Sequence, residues 1–560
     1  MKKITSILLI IIISLSACSS SKSVNDRDTV LSQVLKDRES SADTKSISNT
    51  EKINSGADSD SSNEDDNTVP SSWFELEQLG PIGYVRRSYG EVKEQYPDKT
   101  ILTVAGVFPS DFITDSINEY LTQNGTEYVV FFTELTMENS KVFENIDELN
   151  SKQYEEKKQA VNNLIDTVDI IPMGRKMYYE FAREGRFEPW SSYLSTEEGM
   201  KLYMSLPENN WKTCIMDDEI YGINGRADLV FGPPSYIINK EIMDKYNLME
   251  EDLNKPIYEL EAILKMVAEG EKANPDFKPL AIDYAEWFNV FDNSVYLNSK
   301  AVALYNDTTK KAGSVLDELE NLRWLKTLCQ YANQGLIDKT SKRLNNFFLK
   351  VNIRSSLPYM IPDYMFLYNK DGELSGADDV TEIVLDKYYD GCLCWIGLTS
   401  IYANCIPVSS KYKDDAFDFI MRLYTDSYLT NLLTYGLENK TYIIKEGKVE
   451  WPDIYYLGYG NAYISYPRNY EYADKKERYW KLNEELPYVY YDFIFDPTNV
   501  KDELEKTNQV MNRVSDILLG NVTDFDAYIT DIRRRLDSNG LTKLLDEVNR
   551  QRDDWINSKK

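Results

Sequence analysis

Histidine is absent from all 560 residues, and that omission removes most of the proton-transfer chemistry a protein does near neutral pH. Ser-His-Asp and Cys-His catalysis, His-liganded zinc and the HExxH protease helix all need an imidazole. Carboxylate pairs, Ser-Lys arrangements and cysteine-only metal sites survive. With 92 Asp and Glu, two carboxylates spaced for glycosyl transfer arise by chance in almost any fold, so the sequence nominates no pair. The chain also lacks GxxxxGK(S/T), GxGxxG and GxSxG. These absences favour binding over turnover, and neither a cofactor nor a metal is expected. Of six cysteines, Cys18 stands apart in the N-terminal segment. The remaining Cys214, Cys329, Cys392, Cys394 and Cys405 are odd in number and fit no disulfide framework. Cys392 and Cys394, two apart on a strand-like edge, could hold a metal or a redox pair; small buried side chains are the plainer reading.

Cys18 closes a segment with two lysines, an aliphatic run from Ile7 to Ile13, and then Leu15-Ser-Ala-Cys18. A basic start, a short apolar stretch and small residues at the end make a secretory signal. The run is far below the roughly 20 residues of a spanning helix. Leu-Ser-Ala-Cys resembles the lipobox of bacterial lipoproteins, in which the cysteine thiol takes a diacylglycerol and becomes the first residue of the processed chain. Residues 1–17 are therefore expected to be removed and Cys18 to hold the protein by lipid on the outer face of the cell membrane. Residues 18–70, ending in Asp58-Ser-Asp-Ser-Ser-Asn-Glu-Asp-Asp66, have too little apolar surface to fold. They read as a tether reaching some 40 Å. A formal charge of −29 makes nucleic acid a poor partner for the body.

Elements that could position a site begin near residue 97. Thr100–Ala105 is strand-like, Asp111–Leu121 has helical spacing, Tyr128–Phe132 is a strand, Lys152–Leu164 a polar helix and Asp169–Ile171 a short strand. This alternation indicates an α/β sheet with both faces covered. Helices are expected over Leu316–Gln334 and Asp414–Tyr424. Leu504, Met511, Val514 and Leu518 mark one helical face, and Thr523 with Asp526 makes a capping box for another helix.

Several stretches, in order, resemble the family 1 extracellular solute-binding proteins of ABC sugar importers, which include maltose-binding protein. Asp169-Ile-Ile-Pro-Met-Gly174, Phe181-Ala-Arg-Glu-Gly185 and Pro189-Trp-Ser-Ser-Tyr-Leu194 are similar to one conserved segment of that family. Glu219-Ile-Tyr-Gly-Ile223 followed by Tyr236-Ile-Ile-Asn-Lys-Glu-Ile-Met-Asp-Lys-Tyr-Asn-Leu248 resembles another. So do Cys405-Ile-Pro-Val-Ser-Ser410 with the helix from Asp415 to Tyr424, and Tyr435-Gly-Leu-Glu-Asn-Lys-Thr-Tyr442. The last 60 or so residues resemble the C-terminal helices of a lipoprotein branch. Asn224 replaces the proline usual after Tyr-Gly-Ile, and the loop from Gly225 to Pro234 is longer than the family's.

The resemblance implies a two-lobe, type II periplasmic-binding-protein-like α/β fold with the ligand cleft between the lobes. Chain crossings are expected near Gly222–Pro234, Asp378–Val384 and Asp426, giving one lobe of 97–224 and 384–425 and another of 225–383 and 426–560. It implies a monomer that captures a carbohydrate, an oligosaccharide by expectation, and delivers it to an ABC permease. A peptide-binding lipoprotein and a surface glycoside hydrolase are the other readings the residues leave open. Sugar sites need aromatic plates and planar polar groups, and this chain has 41 Tyr and 9 Trp. The candidates are Phe108, Ser110 and Asp111 after the first strand, Arg175 and Lys176 after the third, and Arg226 and Asp228 in the first crossing. Trp287, Tyr359, Asp363 and Trp395 complete the set.

Overall fold

In the computed structural model, Thr100–Ala105 (β1) lies parallel to Tyr128–Thr133 (β2), with Thr100 opposite Tyr128 and Ala105 opposite Thr133. The structure describes residues 87–560 apart from 107–108, 134–150, 225–229, 232–234, 283–293, 296, 298, 306, 339–345, 353–379, 386–393, 396–401, 446, 451–459, 467–474, 486–488, 491 and 560. Residues 83–560 form one compact unit. Between β1 and β2 runs α1 (Asp111–Gln123), whose Ile113, Ile117 and Leu121 recur every four residues and are all buried. Asn118 on the same helix completes the edge of β2: its side chain accepts from Val130 N at 2.8 Å and donates to Val130 O at 3.0 Å. A helix side chain thus does for β2 what a further strand would.

After α2 (Ser151–Leu164) the chain forms β3 (Ile171–Gly174) and α3 (Arg175–Arg183), then α4 (Glu197–Met204), α5 (Glu208–Lys212) and β4 (Gly222–Asn224). A parallel bridge from Val104 to Ile170 sets β3 beside β1. The strand between β3 and β4 comes from far along the chain: Tyr402–Cys405 (β12) is antiparallel to both. The first sheet is therefore β2-β1-β3-β12-β4.

From β4 the chain passes through Val230–Phe231 (β5) to Ser235–Asn239 (β6), runs through the helix Glu261–Gly270 (α6) to Leu280–Ile282 (β7), then through Leu319–Asn333 (α7) to Ile337–Asp338 (β8), Leu349–Asn352 (β9) and Val380–Val384 (β10). The second sheet is β8-β7-β9-β6-β10, parallel at its first two pairings and antiparallel at its last two. Its pattern repeats that of the first sheet, with the strand following each chain crossing inserted in fourth place. The two crossings also touch: Cys394–Trp395 (β11) pairs antiparallel with β5 through Trp395 opposite Val230 and Cys394 opposite Phe231.

Each sheet is packed by its own core residues. Leu102, Val104 and Val130 pack with Phe419, Ile420 and Leu423 of α8 (Lys413–Thr425) in the first core. Ile238, Leu280 and Leu349 pack with Leu328 and Leu504 in the second. Each such side chain contributes roughly 1.5–3 kcal/mol by burial. The core memberships redraw two of the expected crossings. β10 pairs with β6 along its whole length, so the return to the first lobe lies beyond Val384, in the stretch before β12. Asp426 is no crossing. It is the N-cap of α9 (Ser427–Tyr435), whose Leu429, Leu432 and Leu433 join the first core with Ala462 and Tyr463. α10 (Lys475–Glu485) stays on the same side, where Asn483 donates to Asn210 Oδ1 of α5 at 2.5 Å. The third crossing falls before Tyr490, which is buried in the second core.

The remaining chain, α11 (Lys501–Asn512), α12 (Phe525–Ser538) and α13 (Leu541–Ser558), covers the second sheet with Leu504, Met511, Ile532, Leu536, Leu544 and Val548. The cap of α12 is Asp524, accepting from Ala527 N at 3.0 Å, and not the Thr523 of the expected box; a carboxylate one residue nearer the helix is the stronger acceptor. Gly540 turns the chain between α12 and α13 at φ 93°, where a Cβ would lie 2.4 Å from Glu503 Cγ. Among the described residues no helix is long and apolar enough to cross a membrane.

Candidate functional site

Ligands of α/β sheets collect outside the carboxyl ends of parallel strands. In the first sheet these are the ends of β1, β2 and β3, and four of the sequence candidates follow β1 and β3. Ser110 is the N-cap of α1, but its side chain makes no capping bond. Its carbonyl receives Thr114 N at 2.9 Å, while its buried Oγ meets no hydrogen-bond partner among the described residues. Asp111 begins the helix and accepts from Arg87 N at 3.3 Å. The Arg87 guanidinium grips Asp115 one turn on, with both nitrogen–oxygen distances 2.6 Å. Burial pushes the Asp115 carboxyl above its ordinary range, and Asp111 and Glu119 add to this against the pull of Arg87.

Arg175 and Lys176 start α3 directly behind Gly174, the last residue of β3. Both reach protein groups. One guanidinium nitrogen of Arg175 donates to the carbonyls of Tyr490 at 3.1 Å and Phe493 at 2.5 Å. The Lys176 ammonium sits 3.8 Å from the Tyr154 ring centroid on α2, a cation–π contact. Tyr154 in turn donates to Glu180 at 2.8 Å. Asp169, prominent in the sequence motif, serves as a clamp. Its two oxygens accept from Thr103 N at 2.9 Å and Ser410 Oγ at 2.6 Å, tying β1 and the turn after β12 to the approach of β3.

Trp395 lies in β11, on the ladder between the two crossings; its side chain is outside the described residues. So are Phe108, Arg226, Asp228, Trp287, Tyr359, Asp363, Cys18 and Cys392. The structure therefore brings Ser110 and Asp111 to one strand end and Arg175 and Lys176 to its neighbour, with Trp395 at the crossing. What sequence reasoning missed is the receiving side of Arg175: backbone carbonyls carry no side-chain signature, and Tyr490 and Phe493 lie more than 300 residues away.

Among the described residues no three His, Cys, Asp or Glu are grouped to hold a metal ion. Cys214, Cys329 and Cys405 are buried free thiols. Burial pushes the Cys214 thiol up to about 12 and Cys405 well above the ordinary value. Thiols held protonated in this way are poor nucleophiles and poor metal ligands.

A family described as a domain of unknown function (DUF3502) matches residues 489–557, a span that begins where the chain enters the second core for the last time. A carbohydrate ABC transporter substrate-binding protein of Streptococcus pneumoniae serotype 4 is 26% identical over 391 residues, covering 66% of this chain and 76% of that protein. Among solved structures, an N-glycan transport solute-binding protein of Streptococcus pneumoniae superposes with a TM-score of 0.59 at 21% identity, covering 82% of this chain and 100% of that one. The same protein in complex with a glycan gives a TM-score of 0.52 at 20% identity over the same shares. The fold is the two-lobe, type II arrangement of the periplasmic sugar-binding proteins.

Proposed function

We propose that this chain is the solute-binding component of a carbohydrate ABC importer, capturing an oligosaccharide outside the cell and delivering it to a membrane permease. One observation carries the reading. Two sheets of identical strand order are joined by crossings that, among the described residues, pair with each other through the two-residue strands β5 and β11. Two rigid bodies on a thin connection can close on a ligand. The likeness to a substrate-binding protein over most of both chains supports carbohydrate as the cargo. The supply of 41 Tyr and 9 Trp suits stacking against sugar rings. The ligand face in this reading is built from Phe108, Ser110 and Asp111 at the end of β1, Arg226 and Asp228 at the first crossing, Trp395 at the second, and Trp287, Tyr359 and Asp363 from the second lobe. Arg175 and Lys176 stand beside them at the end of β3. Capture is reversible and without turnover, and the protein works as a monomer.

The deciding experiment is a thermal-shift screen of residues 71–560 against mono- and oligosaccharides, uronic-acid oligomers included, with di- to pentapeptides alongside. A sugar at 100 times its Kd stabilises by about 2.7 kcal/mol. Saturable stabilisation by one saccharide class with the sugar recovered unchanged is expected. Stabilisation by peptides alone would sink the carbohydrate reading, and cleavage of a sugar would make the protein a hydrolase.

Lipid attachment at Cys18 belongs to the same proposal, supported by the Leu-Ser-Ala-Cys segment. Cys18→Ser is expected to release the protein from the membrane fraction into the medium; a variant that stays membrane-bound would refute the anchor.

A further inference from the structure

We infer that Arg175 is a positioning residue that clasps the two lobes together and sets their separation before any ligand arrives. The argument starts from how firmly each partner is held. On its own side, Arg175 opens α3, whose Tyr178, Tyr179 and Phe181 are fully buried in the first lobe. Tyr178 OH donates to Cys214 O at 2.5 Å and Tyr179 OH to Thr213 O at 2.8 Å, so the helix cannot slide or roll to follow its first residue.

On the other side, the two accepting carbonyls belong to a segment whose Tyr490 and Phe493 are buried in the second core, while the next residue, Ile494, packs against the first lobe. The Tyr490 ring is buried in that core, and its hydroxyl accepts from Arg552 Nε at 2.9 Å. Asp492 accepts from Trp555 Nε1 at 2.8 Å and Lys559 Nζ at 2.5 Å. Phe493 N donates to Tyr490 O at 3.2 Å, closing the turn that presents both carbonyls in one direction. The carbonyls can leave Arg175 only if α13 and the core beneath it move as well.

Arg175 therefore joins one body to the other with a charge-assisted donor, at the carboxyl end of β3. Such bonds weaken steeply beyond about 3.2 Å, so an ångström of lobe movement breaks them. The residue stabilises one separation of the lobes and opposes the rest. This inference rests on the binding-protein reading only for its effect on affinity; the clasp itself is tested without any sugar.

The experiment measures interlobe distances by double electron–electron resonance in ligand-free protein. Spin labels are carried on bio-orthogonal side chains at exposed Lys201 on α4 and Lys272 beyond α6, whose ion pairs with Glu197 and Glu269 are surface ones. Arg175→Met removes the donors, and losing one charge-assisted hydrogen bond corresponds to a roughly tenfold change in the ratio of clasped to unclasped molecules. The expected result is a shifted and broader distance distribution for R175M, with R175K, which restores a cation of similar reach, falling between it and the unaltered protein. A distribution for R175M that superposes on the parent, with its melting curve still cooperative, would overturn the clasp. Should R175M fail to fold, R175Q is read by the same measurement. An altered distribution with no sugar bound by any variant would leave the clasp standing and count against the importer reading instead.

Discussion

At the scale of single residues, the first lobe depends on polar groups placed where only one geometry satisfies them. Asn118 is 1% exposed and spends both ends of its amide on the backbone of Val130. Asn118→Leu keeps the volume but leaves a buried N–H and a buried carbonyl without partners. At roughly 1–3 kcal/mol for each unsatisfied group, the variant is expected to lose about 2–6 kcal/mol. Urea unfolding checks it: the midpoint should fall with the slope unchanged, and an unchanged midpoint would mean that β2 does not rely on this amide. Nothing in the sequence distinguishes Asn118 from Asn124, which ends the same helix at the surface. The role of Asn118 comes from facing an edge strand, a tertiary fact. Arg175 makes the same point at the candidate site. The position was legible as the residue after a strand-ending glycine, while its partners are backbone atoms contributed by a distant segment.

Among the elements, those with a strong local pattern were legible and those defined by distant pairing were not. Thr100–Ala105 forms the strand its β-branched run indicates, and Ile113, Ile117 and Leu121 turn one face of α1 to the core as their spacing requires. The third strand begins at Ile171, two residues later than expected, because Asp169 is drawn out of the ladder to clamp Thr103 and Ser410. The expected crossing at Asp426 illustrates a different limit. A polar residue between two helical patterns reads equally well as a linker or as a shared cap. Here it caps, accepting from Tyr428 N at 2.9 Å and Leu429 N at 3.2 Å. Tyr120 OH of α1 donates to its other oxygen at 2.7 Å. Burial and the neighbouring Asp426 carboxylate both push the Tyr120 hydroxyl above its ordinary range, which keeps it a donor at any working pH. That bond fastens α9 to α1, and Leu429, Leu432, Leu433, Ala462 and Tyr463 join the first core beside it, an assignment no periodicity could make.

For the whole molecule, the architecture sets how much free energy a ligand must supply. Among the described residues the crossings pair through β5 and β11 over two residue pairs, and the lobes themselves resist deformation through their packed cores. Lobe separation is thus a two-state variable that ligand biases only through its differential affinity. Moving the population from 1:99 to 99:1 takes about 5.5 kcal/mol. That figure is the difference between a ligand's affinities for the two separations, so a sugar that bound both equally would close nothing however tightly it bound. Small-angle scattering on residues 71–560 follows the transition. A body of this size has a radius of gyration near 23 Å by chain-length scaling. In the proposed reading, saturating a cognate sugar should contract the radius by roughly 1 Å. Contraction should be proportionally larger in R175M if its lobes start further apart, which links closure to the clasp. Equal radii with and without a tightly bound sugar would mean that the crossings do not act as a hinge, and the ligand would then be held by one lobe alone.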